Sequence, residues 1–182
     1  MKSAAILIAG ALPLAACNKG PEVKAENATG EQVAKQVADA GGAGSFVRPG
    51  RWESKVTIEE MTIPGMSADM SSQMKSFNGR METDVSCLSE EDARRPKEDF
   101  FAGENKNCRY DRFTMAGGKI DAVMKCTGEG AAQTMTMQGS YSPNTYNMQM
   151  TMQGGGESVA GLSMKMRVDA KRVGQCTGKE DS

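Results

Sequence analysis

The chain has 182 residues, with 22 basic and 23 acidic side chains and a net charge of -1, so it lacks the basic excess that a phosphate-binding surface requires and nucleic acid is not expected as a partner. It contains 0 histidines, which excludes Ser-His-Asp and Cys-His nucleophiles and the usual His-containing zinc and iron sites. The length allows one ordinary domain with small additions, and its 15 methionines must supply much of the core, since aromatic residues make up only 5%.

Residues 1–16 read as a targeting segment rather than as part of the fold. Lys2 is a positive n-region, and Ala4 to Leu14 form an apolar stretch well short of the about 20 residues needed to span a bilayer. The end, Leu14-Ala15-Ala16-Cys17, resembles the lipobox of bacterial lipoproteins. That resemblance implies a lipoprotein signal peptide, cleavage before Cys17 and lipidation of Cys17. The membrane is then the partner, reached through an N-terminal lipid anchor, and the body faces the periplasm. Asn18 follows the cysteine where the sorting pattern of such lipoproteins places Asp for inner-membrane retention, so an outer-membrane anchor is expected. Several acyl chains suit stable anchoring, because a single chain binds only marginally.

Residues 17–45 are rich in Gly, Ala, Lys and Glu and are expected to be a flexible tether. Within them Thr29 and Gln32 have capping-box spacing, with Val33 and Val37 four apart and Gly41-Gly42 as a stop. The helix this allows has too thin an apolar face to be core.

A β domain is expected over residues 46–178, with a short tail at 179–182. Pro49-Gly50 introduces a strand in which Trp52, Ser54, Val56 and Ile58 share one face, and Trp52 is its expected anchor. Met66, Met70 and Met74, with Phe77 three further on, have helical spacing; a hairpin at Asn78-Gly79 is the competing reading. A strand from Arg80 to Leu88 follows. Ser89 then caps a short helix whose acids, Glu90, Glu91 and Asp92, sit where the helix dipole favours them, and Pro96 ends it. Phe100-Phe101 are expected in the core. Cys108 to Met115 and Lys119 to Thr127 are strands joined at Gly117-Gly118.

Thr134 to Gln153 is the most regular stretch, two alternating strands joined at Pro143-Asn144. One face carries Met135, Met137, Tyr141, Tyr146, Met148, Met150 and Met152; the other is Thr, Gln and Asn. A last strand near Leu162 to Val173 adds Met164, Met166 and Val168 to the inner face. The sum is a mainly β fold: a single antiparallel meander of about seven strands, curled or partly closed into a barrel, with one or two short helices.

With Cys17 assigned to lipid, Cys87, Cys108, Cys126 and Cys176 read as two disulfides in an exported domain. Of the three pairings, Cys87–Cys108 and Cys126–Cys176 are preferred, the first bracketing one excursion and the second stapling the C-terminus. No CxxC occurs, so redox activity is not expected.

PGRWE, CLSEEDARRP, the Phe pair, Cys108-Arg109-Tyr110, GGKIDAVMKC and KRVGQC occur in this order. Together they resemble an uncharacterised family of small exported proteins of Gram-negative bacteria, a domain of unknown function. The resemblance spans roughly Phe46 to Cys176 and implies an exported, cysteine-stapled, mostly β domain; it brings no catalytic residue.

No nucleophile–base pair, phosphate-cradling loop or metal motif occurs, so neither enzyme activity nor a cofactor or metal is expected. The methionines have three readings. They fill an irregular core, in a structural or interaction protein. They line a cavity for a lipid or other apolar ligand, with Met135, Met137, Tyr141, Tyr146, Met148, Met150, Met152, Met164 and Met166 facing it. Or their thioethers bind Cu(I), although M-x-M is also the spacing of any inward-facing strand.

Overall fold

The computed structural model describes residues 20–67, 81–97, 101, 107–128, 131–156 and 160–180. Its strands are β1 (Val23–Thr29), β2 (Gly50–Thr62), β3 (Met81–Leu88), β4 (Cys108–Ala116), β5 (Lys119–Gly128), β6 (Ala131–Ser142), β7 (Thr145–Gly155) and β8 (Ser163–Gly174). Among the described residues the α-helices α1 (Gly30–Asp39) and α2 (Glu90–Arg94) accompany them. All strand pairs are antiparallel, in one sheet of order β1-β4-β5-β6-β7-β8-β2-β3.

The mainly β, antiparallel expectation holds, with one strand more. Strands β4 to β8 form the meander; the β2–β3 hairpin extends it beyond β8, and β1 adds to β4 at the other end. The sheet stays open, with β1 and β3 as its edges. Short turns set the register. Gly117 and Gly118 adopt φ of 56° and 75°, the left-handed pair that a two-residue hairpin turn needs. At the β6–β7 turn the Ser142 hydroxyl accepts from the amides of Asn144 and Thr145.

The flexible-tether expectation for residues 17–45 is corrected from Val23 onward; residues 17–19 lie outside the described residues. Val23 to Thr29 pair with β4 in register, Val23 opposite Met115 and Ala25 opposite Phe113. The capping box does form. The Thr29 hydroxyl accepts from the Gln32 amide at 3.2 Å, and the Gln32 side chain accepts from the Thr29 amide at 2.9 Å. The helix it starts buries Val33 and Val37, at 0% and 1% exposure. Two valines one turn apart suffice because α1 lies across β1 and β4 instead of standing in water. With Val23, Ala25, Phe46, Tyr110, Phe113 and Met124 they form the hydrophobic core. The folded domain therefore starts at Val23, not Phe46.

Other expectations resolve unevenly. Trp52 is buried at 4% exposure, donates from Nε1 to the Arg48 carbonyl at 3.1 Å, and packs on Tyr146 with ring centres 5.6 Å apart. Ser89 caps α2, accepting from the Asp92 amide at 3.0 Å. Phe101 joins the core edge-on to Phe113 at 6.0 Å, whereas Phe100 lies outside the described residues. Most of the helix expected from Met66 to Phe77 also lies outside them.

The two disulfides are Cys87–Cys176 and Cys108–Cys126, which corrects the preferred pairing. Strand order explains the difference. Cys108 and Cys126 are directly opposed across β4 and β5. Cys87 lies on β3, six strand spacings from β4 and hence about 29 Å along the sheet at roughly 4.8 Å per strand. Cys176 follows β8, next to the β2–β3 hairpin, and comes within 5.5 Å of Cys87 between Cα atoms.

The end of the chain is held by Glu180, whose side chain is 2% exposed. Desolvation raises its pKa, but this is outweighed by hydrogen bonds from the Thr177 hydroxyl and from the amides of Thr177 and Gly178. Together they hold the carboxyl at about 2, below its ordinary 4.5. A group that ionises more readily when folded stabilises fully above the unfolded value and loses that contribution as pH falls through the folded one. The tail is thus expected to stay docked above about pH 4.5 and to loosen between 4.5 and 2. Hydrogen exchange at the Thr177 and Gly178 amides would show this; exchange that does not change across the window would refute it.

Candidate functional site

One face of the sheet carries the apolar set of every strand from β5 to β8. Pairing sorts it into rows that run across the strands. The first row is Tyr141 opposite Tyr146, which in turn lies opposite Ala170. The next is Ile120–Gly139–Met148–Val168–Val56. Beyond it lie Ala122–Met137–Met150–Met166–Ile58 and then Met124–Met135–Met152–Met164–Met61. A bulge between Ile58 and Glu60 keeps Met61 on the same face.

Against the first three rows lies a cavity of about 400 Å³. Every strand from β2 to β8 contributes to its wall, from Leu88 on β3 to Tyr110 on β4. In a flat sheet those two strands would lie about 29 Å apart, so the sheet must curl around the space. Val37 of α1 and the following Ala43, Phe46 and Val47 cover it from the other side. Phe46 meets Tyr141 edge-on at 5.7 Å, tying this cover to the β6–β7 hairpin. Gly139 contributes no side chain to its row. A Cβ there would come within 2.2 Å of the Asn147 carbonyl oxygen, because β7 crowds the backbone at this point.

The wall is mostly apolar; its polar side chains are phenols, serine hydroxyls and the Asn147 amide, with no charged side chain among the described residues. The Tyr146 and Ser54 hydroxyls lie 3.4 Å apart. The Tyr110 hydroxyl donates to the Phe101 carbonyl, and burial pushes its pKa up to about 12. Burial also raises Tyr141, opposed by a backbone hydrogen bond at Gly118. Raised in this way, the Tyr110 and Tyr141 phenols stay neutral through the physiological range and act as hydrogen-bonding groups, not as bases.

Of the residues expected to face a ligand, Met137, Tyr141, Tyr146, Met148 and Met150 line the cavity. Met135, Met152, Met164 and Met166 do not; they continue the same face beyond it, each half-buried. Cys17 lies outside the described residues. The cover formed by Val37, Ala43, Phe46 and Val47 was missed, although the capping box and the Val33–Val37 spacing signalled its helix.

A family model described as a protein of unknown function, DUF3617, matches residues 47–176. No curated protein and no solved structure matches the chain.

Proposed function

The chain belongs to the DUF3617 family of proteins of unknown function, and for this member we propose a non-catalytic role: holding the apolar body of an uncharged ligand, such as an acyl chain, inside the curled sheet. The observation that carries the reading is the cavity of about 400 Å³, within the roughly 300–1,000 Å³ range of small-molecule sites and with no charged side chain among the described residues of its wall. Enclosing a charge there would cost heavily, so any charged group of the ligand must stay at the mouth. Unbranched methionines adapt to ligands of varied shape, and the Tyr141 and Tyr146 phenols can orient one polar end. A completely filled interior would have favoured a purely structural protein.

The lipobox-like segment supports an envelope lipoprotein anchored through Cys17, facing the periplasm and, from Asn18, sorted to the outer membrane. Because the domain starts at Val23, only five residues (18–22) lie between it and Cys17, which makes six Cα-to-Cα steps (23 − 17). Fully extended, they reach roughly 20 Å at about 3.3 Å per residue. The cavity is thereby kept close to the bilayer, a source of acyl chains.

The test is titration of the full chain with N-phenyl-1-naphthylamine, a neutral fluorescent probe. Saturable one-to-one binding is expected, weakened tenfold or more in Met148→Phe/Val168→Phe, which places two rings in the space. No saturation, or equal binding by a variant with an intact unfolding transition, would remove the reading. In cells Cys17→Ser is expected to release the protein from membranes; retention of this variant would remove the anchor.

A further inference from the structure

Strands β6, β7 and β8 cross at six inward positions in the last two rows, and all six are methionine. Met135–Met152–Met164 form one line and Met137–Met150–Met166 the other, a two-by-three grid, with Met124 and Met61 extending the first line at either end. Strand formation does not call for this. Valine, isoleucine and aromatic residues are the better strand formers, and they occupy neighbouring rows of the same face as Ile120, Val168 and Tyr146. Covering the core accounts for only part of it: Met135 and Met137 pack against the core cluster, the other four are not in it, and all six are half-buried instead of sealed. The sequence showed only M-x-M spacing within single strands; the register is what brings thioethers from three strands side by side.

From this we propose that the grid binds one soft monovalent cation of the Cu(I) class through three thioethers, centred on Met135, Met152 and Met164. Neutral sulfur is a soft donor suited to such ions. Three sulfurs around one metal at about 2.3 Å, the distance known for zinc–sulfur bonds, lie about 4 Å from one another. Directly opposed residues have Cβ atoms about 4.5–5.5 Å apart, and Met135 and Met164, on either side of β7, are separated by two strand spacings of about 4.8 Å, so these two unbranched side chains must each lean about 3 Å toward Met152. A sheet curled toward this face tilts them the same way. The competing sulfur ligands are absent, because all four cysteines of the domain are in disulfides. Among the described residues no group of three Asp, Glu or Cys side chains is placed to hold a metal ion. The site is independent of the apolar-ligand reading, since its three central residues lie outside the cavity wall.

The probe is Ag(I), which shares the soft, thioether-preferring character and needs no reductant, so both disulfides survive. The full chain, labelled at its methionine methyl carbons and alkylated to block any free Cys17 thiol, is titrated with Ag(I). One silver should be retained in the native mass, and the methyl resonances of Met135, Met152 and Met164 should shift together. The volume-conserving variant Met135→Leu/Met152→Leu/Met164→Leu should bind Ag(I) at least tenfold more weakly while still binding N-phenyl-1-naphthylamine. Wild-type methyl resonances that do not move overturn the proposal without recourse to any variant. So does equal silver retention by the triple variant.

Discussion

A chain shortened to begin at Phe46 is expected to lose cooperative folding, whereas one that begins at Gly20 keeps it. The shorter chain retains the whole segment that matches the family model, yet it lacks β1 and α1. Val23, Val33 and Val37 are 2%, 0% and 1% exposed, and burying each such side chain contributes about 1.5–3 kcal/mol. The three together supply about 5–9 kcal/mol, comparable with the whole net stability of roughly 5–15 kcal/mol typical of a domain. Their removal also uncovers Tyr110 and Phe113 and leaves β4 as a bare edge open to pairing with another chain. Urea unfolding followed by circular dichroism, with size exclusion to detect association, checks the comparison. A sharp transition in the shorter chain at the same midpoint as the longer one would mean that β1 and α1 add nothing.

The same segment shows where sequence reasoning reached its limit. Strict alternation in Thr134 to Gln153 was legible because a half-buried strand repeats every two residues, and the register pairs Met135 with Met152 and Met137 with Met150 as that pattern requires. Val23-Lys24-Ala25-Glu26 alternates too, but its inner residues are small, and alanine carries little signal of burial. The strand exists because β4 offers it an edge, which is a fact about a partner 88 positions away (Ala25 to Phe113, 113 − 25), not about the strand. Composition made residues 17–45 look like a linker, while tertiary contact buries their apolar positions, Val23, Ala25, Ala28, Val33, Val37 and Ala43, in the core. The cavity follows the same logic. Five of its wall residues were among those expected to face a ligand, but Val37 and Ala43 of its cover belong to the segment taken for a linker. The space itself follows from the curl of the sheet, which leaves no periodic trace.

Removing Cys87–Cys176 by a double alanine substitution is expected to cost about 4–5 kcal/mol, and removing Cys108–Cys126 about 3 kcal/mol. The order follows from the lengths closed, sequence separations of 89 and 18 residues, because a longer loop restricts the unfolded chain more in the chain-entropy model. The folded state argues in the same direction. Cys108 and Cys126 are already held opposite each other by the β4–β5 ladder, so their bridge repeats a constraint that backbone pairing supplies. Cys87 sits on the edge strand β3, paired only with β2, and its bridge fixes that hairpin to the chain leaving β8. Loss of the long bridge should therefore also free the docked tail around Glu180, which loss of the short one should not. Urea unfolding of the two double variants tests the magnitudes, and digestion without reduction tests the connectivity. A peptide joining Cys87 to Cys108 would contradict the strand order itself, since those positions lie near opposite edges of the sheet. Equal destabilisation with the native connectivity would show instead that loop length does not govern, and that strain or residual structure in the unfolded chain does.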